Sequence, residues 1–266
     1  LTEATLQLLA GDPARDPLVV GRVVLVLGGE PVTVEMAVPS GPVTFEDVLP
    51  ILHGLTDFVA DRGVEAALAA GRTVSCRAGC GACCRQLVPI SQAEARALAA
   101  LVAAMPDPRR DEIRRRFDAA LQALQAGGVI EEIDTARREV TDSTADLGMR
   151  YFRQGVACPF LEDEACSIYP DRPLSCRQYL VTSPADNCAS PTADTIDMVA
   201  LPARPSRALL LADSEEAGVS WMPLVYALRY VEQVPSRLPA RTAPDILRDV
   251  FSRLQDADDT DRWESE

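Results

Sequence analysis

The chain reads as a mainly helical α+β protein: a small N-terminal β-hairpin, then a bundle of helices broken by two cysteine-rich loops. Three observations predict this. Residues 18–38 are rich in β-branched side chains around a Gly-Gly turn. The segments that follow mostly carry apolar residues at helical spacing. Two stretches, 76–84 and 158–188, lose that spacing and hold all eight cysteines.

The hairpin comes first. Leu18 to Leu27 is apolar and β-branched, Gly28-Gly29-Glu30-Pro31 supplies a turn, and Val32 to Val38 alternates apolar with polar. Thr44, with Asp47 three residues on, marks a helix start. Phe45, Val48, Ile51, Leu52, Leu55, Phe58 and Val59 then recur at helical spacing, with Gly71 as terminator. After the first cysteine loop, Ser91 and Glu94 form a capping-box pattern opening a helix that ends by Met105-Pro106. Pro108 to Gln125 predicts a further amphipathic helix stopped by Gly127-Gly128. Ile130 to Gln154 predicts another, interrupted near Thr141 to Thr144. Between Gly155 and Pro191 periodicity disappears. A loop of that length inside a domain needs a reason, and metal crosslinking supplies one. Ser220 to Gln233 and Ala243 to Leu254 predict the last helices, followed by an acidic tail. The stripe from Trp221 to Val231 reads as core, with a partner surface as the alternative.

The organisation expected is a hairpin and helix over 1–71, a cysteine region over 72–192, and helices with the tail over 193–266, packed on one domain. At 266 residues and 47% hydrophobic, the chain can bury a sizeable core. Its formal net charge of -14 argues against duplex nucleic acid and anionic membrane as partners, since both need a basic footprint. The run Arg109, Arg110, Arg114, Arg115, Arg116 reads as a solvated helix face. Lysine is absent, which removes Schiff-base chemistry. The single histidine, His53, lies among apolar residues and reads as a packed helix residue. No apolar run is long enough to span a bilayer, and the expected location is the cytoplasm.

The cysteines carry the chemistry. Cys76, Cys80, Cys83 and Cys84 lie within nine residues, and Cys158, Cys166, Cys176 and Cys188 follow some seventy residues later. Gly79 and Gly81 let the backbone fold tightly between ligands. Three readings compete. A disulfide framework suits neither near-adjacent cysteines nor a reducing cytosol. Structural zinc takes four thiolates, so eight cysteines make two closed sites. An iron–sulfur cluster also takes four thiolates, and the scarcity of histidine leans toward it. Cys76-x3-Cys80-x2-Cys83 also has the spacing of radical S-adenosylmethionine enzymes. Here, however, Ala82 precedes the third cysteine, Gly28-Gly29-Glu30 lies upstream, and no βα alternation follows.

The run Cys-x3-Cys-x2-Cys-Cys, followed by Cys158-Pro159-Phe160-Leu161 and by Cys166-Ser167-Ile168-Tyr169-Pro170-Asp171-Arg172-Pro173-Leu174-Ser175-Cys176-Arg177-Gln178-Tyr179, resembles the bacterial CxxCxxCC cysteine-cluster family, also called YkgJ-like. The resemblance runs from about Cys76 to Cys188 and implies chelation of zinc or iron. All eight cysteines are candidate ligands. Arg77, Arg85, Arg172 and Arg177 are candidates to offset the charge of a thiolate centre, and Tyr179 to donate to a sulfur. Phe160, Ile168 and Tyr169 are candidates to shield it from water. The helices between the loops are expected to bring both onto one or two all-cysteine centres. The leading expectation is an iron–sulfur centre of the 4Fe–4S type, serving electron transfer or an attached enzymatic reaction. The alternative is zinc or another soft metal that is structural, stored or sensed. A protein partner is compatible with either. The residues name no substrate and leave open whether the protein is an enzyme.

Overall fold

The computed structural model describes residues 4–137, 144–192, 194–217, 221–235 and 238–256. The predicted hairpin is present and gains a third strand. β2 (Leu18–Leu27) and β3 (Glu30–Pro39) pair antiparallel, and β1 (Ala4–Leu9) joins the other edge of β3 in parallel. The spatial order is therefore β1-β3-β2. Alternation along β3 turns Val32, Val34, Met36 and Val38 inward, as the pleat dictates. The short β1 escapes a sequence reading because its pairing partner lies more than twenty residues away.

Helix α1 (Phe45–Ala69) starts where Thr44 and Asp47 form a reciprocal capping box. It packs against β1 so closely that a Cβ on Gly54 would stand 2.4 Å from Leu8. Helix α2 (Gln92–Ala104) has the capping box predicted from Ser91 and Glu94. Helices α3 (Arg109–Ala126), α4 (Val129–Ala136) and α5 (Thr144–Arg153) follow. The interruption expected near Thr141 falls largely outside the described residues. The cysteine region then contributes the short α6 (Leu174–Gln178). Helix α7 (Pro205–Ala217) was not anticipated, since its weakly amphipathic sequence shows no clear stripe.

The helix expected over Ser220 to Gln233 is shorter. Met222–Pro223 is extended and pairs with Pro89–Ile90, and only α8 (Ala227–Gln233) is α-helical. Pro223 lacks an N–H and holds the preceding residue out of the helical region, which accounts for the late start. Helix α9 (Ala243–Asp256) closes the described chain, and the acidic tail lies beyond it.

Two apolar cores result. One joins the sheet, α1, α7 and α9. The other joins α2 through α5 with α8 and the segment before it. Helix α2 stands between them: Ala93 belongs to the first core and Ala95, Leu98 and Val102 to the second. Met222, Val225, Tyr226 and Tyr230 are buried in the second core, so most of the Trp221–Val231 stripe is interior. The cysteine region spans the seam. Phe160 and Ile168 are buried in the second core, and Leu174 in the first.

Candidate metal centre

The first loop is a series of tight turns. The N–H of Cys80 donates to Arg77 (3.1 Å), that of Cys84 to Gly81 (2.9 Å), and that of Gln86 to Cys83 (3.0 Å). Gly79 has φ +85°, a conformation that glycine adopts at no steric cost. Gly81 is needed for a different reason. A Cβ there would lie 2.4 Å from the Glu164 carbonyl oxygen and 2.5 Å from Leu161 Cδ1. The loop is thus pressed against a hairpin of the second loop, Leu161–Glu162 paired with Ala165–Cys166. That hairpin turns through Asp163 and Glu164, both at positive φ (47° and 57°), as a two-residue hairpin turn requires.

The loops are also stitched at both ends. Cys158 N–H donates to the Cys84 carbonyl at 2.7 Å, and Ser75 N–H to the Val181 carbonyl at 2.9 Å. Arg85 forms a two-pronged ion pair with Glu164 (3.0 and 2.7 Å). Gln86 Nε2 donates to the Tyr179 hydroxyl at 3.0 Å. Helix α3 braces the hairpin from outside, where Arg116 reaches Glu162 at 2.9 Å and Arg109 pairs with the same carboxylate. The basic run is therefore not purely a solvated face. Phe160 meets Phe117 of α3 edge to face at 5.4 Å.

Around this junction lies a cavity of about 290 Å³. Cys80, Cys83 and Cys84 line it from the first loop, and Cys158, Cys166 and Cys176 from the second. Cys76 stands beside it, its Sγ accepting the N–H of Val181 at 3.4 Å. Cys188 is 3% exposed, and the nearby Tyr179 hydroxyl opposes the rise that burial gives its thiol. All eight are free thiols. Among the described residues, no three Cys, His, Asp or Glu side chains meet closely enough to hold one ion as they lie. The sulfurs are spread round a wall rather than gathered at a point.

Burial pushes up the thiols of Cys76, Cys158, Cys166, Cys176 and Cys188, Cys158 to about 12 and Cys188 to about 11, with Cys176 well above the ordinary range. Cys83 is raised chiefly by its hydrogen bond with Cys84, then by burial. The guanidinium of Arg172 opposes the rise at Cys76, Cys83, Cys166 and Cys176. Such thiols keep their protons until a cation replaces them. Among the described residues no carboxylate or imidazole lines the cavity, so its ionisable oxygen and sulfur donors are the thiols with the Tyr169 and Tyr179 hydroxyls. That composition fits a thiophilic metal.

The other candidates divide. Arg172 and Tyr179 line the cavity, with Arg172 lying over the Tyr169 ring at 3.6 Å. Phe160, Ile168 and Tyr169 line it too, and the first two are buried. Arg77, Arg85 and Arg177 do not. Arg77 is exposed on the first turn. Arg177 points away to Asp57, with 2.8 Å to each carboxylate oxygen, and to the carbonyls of Pro170 and Arg172. It holds the 168–172 turn against α1. His53, on the same helix, is pushed down to about 4 by burial, then by the charge of Arg177, with Asp57 opposing.

Two positioning residues escaped the sequence reading. Glu94 accepts the N–H of Ser91 and also that of Leu174 (2.8 Å), so the cap of α2 docks the start of α6 and places Cys176. The capping box announced the first role, and nothing local announced the second. Asp57 likewise gave no signal.

Six free thiols from two docked loops line one cavity, a donor set of the kind that thiophilic metals take. Residues 75–194 match the family model of CxxCxxCC, described as a putative zinc- or iron-chelating domain. The match encloses all eight cysteines. Comparison with curated proteins and with solved structures found no match. Among the described residues, no helix is long and apolar enough to cross a membrane.

Proposed function

We propose that the two loops hold an iron–sulfur centre of the 4Fe–4S type, ligated by cysteine thiolates alone, in a cytoplasmic protein that serves electron transfer or assists an enzymatic modification. The observation that carries this is the cavity itself: six thiols from both loops line it, with no carboxylate or imidazole among the described residues. A polyatomic cluster suits sulfurs spread round a wall better than one small ion does. When bound, such a centre would supply one-electron chemistry. The chain's own residues would exclude water with Phe160 and Ile168 and offset negative charge with Arg172. Thiols in this number suit a reducing compartment.

One observation favours a second reading, in which two centres, zinc among the options, are closed by four sulfurs each. Cys76, Cys80 and Cys188 are electrostatic neighbours of one another. So are Cys158, Cys166 and Cys176. Cys83 is felt by members of both sets, with Cys84 next to it. The adjacent pair could then serve one ligand to each.

A visible spectrum of anaerobically purified protein, with metal and sulfide analysis of that sample, tests the proposal. Broad absorbance that bleaches with dithionite, with iron and sulfide in equal amounts, is expected. A colourless protein carrying stoichiometric zinc would replace the iron reading with the second one.

A further inference from the structure

The cavity is not walled by sulfur alone. Arg172, Gln178, Arg204 and Ser206 also line it. Gln178 is 4% exposed. Its Oε1 accepts the N–H of Ser206 at 3.3 Å. That contact fixes the orientation of the amide, because a backbone N–H must face the oxygen. The other end, Nε2, is a buried donor with no hydrogen-bond partner. Buried donors are rarely left so, since water or a ligand normally satisfies them. Ser206 lies in the first turn of the thirteen-residue α7, and Arg204 caps it, its carbonyl accepting the N–H groups of Arg207 and Ala208 (3.0 and 3.2 Å). The start of a helix favours negative charge.

We infer that the cavity contains, beside the thiols, a subsite for a small oxyanion, held by Gln178 Nε2, the guanidinium groups of Arg172 and Arg204, and the start of α7. The ligand chemistry is that of a phosphate or a carboxylate. Both present oxygens that accept from an amide N–H and from a guanidinium fork. The subsite does not depend on which metal the thiols bind.

The test titrates the full-length protein calorimetrically, in a buffer free of oxyanions, with inorganic phosphate and separately with acetate. Saturable binding is expected from at least one. Phosphate alone marks a phosphoryl ligand, and acetate alone a carboxylate. Gln178→Leu and Arg204→Gln should each weaken that binding about tenfold or more. Arg204 is exposed, and urea unfolding of both variants shows whether each keeps the fold. The inference is overturned if the wild type binds neither probe, or if Arg204→Gln binds as the wild type does. It is also overturned if Gln178→Leu leaves anion affinity unchanged while shifting the absorption of the metal centre, because Nε2 would then be a donor to sulfur. Repeating the titration on metal-stripped protein separates this subsite from the iron reading, since anion binding that survives stripping supports the subsite alone.

Discussion

The backbone N–H of Cys158 donates to the carbonyl of Cys84 across 2.7 Å, joining two cysteines 74 positions apart in sequence. This bond makes the two loops one structure. Ser75 with Val181 and Arg85 with Glu164 secure its flanks.

Gly81→Ala should break that junction. The added methyl meets the Glu164 carbonyl at 2.4 Å, and a backbone atom cannot swing aside as a side chain can. A loss of about 1–3 kcal/mol is expected from such overpacking, measured by urea unfolding, together with less metal per chain. Gly79→Ala meets no atom within 4 Å but sits at φ +85°. It should cost about 1 kcal/mol from backbone strain alone, with the metal content kept.

Glu94→Ala removes the acceptor of both Ser91 N–H and Leu174 N–H, each buried. An orphaned buried donor costs about 1–3 kcal/mol. Helix α6 should loosen as well, seen as faster amide exchange at Leu174 and its neighbours. Truncation of an exposed acid such as Glu65 should show neither effect.

Arg177→Met should destabilise the protein by about 2 kcal/mol, through the lost Asp57 contact and two unsatisfied carbonyls. Asp57 is itself half exposed, so Asp57→Asn should cost well under half as much. Equal losses would show that the ion pair, not the carbonyl contacts, holds the 168–172 turn.

His53 sets a pH dependence. Its folded pKa of about 4 lies below the ordinary 6.5, so between those values the unfolded chain binds the extra proton. Stability should therefore fall as pH drops from 6.5 toward 4. In His53→Gln that slope should be shallower. Unfolding midpoints of both proteins across this window check the sign.

The sequence revealed the hairpin, the caps of α1 and α2, and the two cysteine loops, because each rests on residues within a few positions of one another. β1 was hidden because its partner is distant, and α7 because both its pattern and its role at the cavity are weak locally. Arg177 illustrates the same limit within the site. Its place in the motif suggested a charge facing the sulfurs, yet it turns to Asp57, 120 residues away. Cys76 to Cys84 and Cys158 to Cys188 were legible as a set. Their arrangement round a cavity, with Gln178 and Arg204 among them, depends on how α2, α6 and α7 dock.

The most direct test is a pair of variants, one in each loop, Cys80→Ser and Cys176→Ser, with iron, zinc and sulfide counted per chain after anaerobic purification. If the loops share their metal chemistry through one cavity, each change alone lowers the metal content and weakens the same absorption band. Full metal retention in both variants, with an unaltered spectrum, would contradict it.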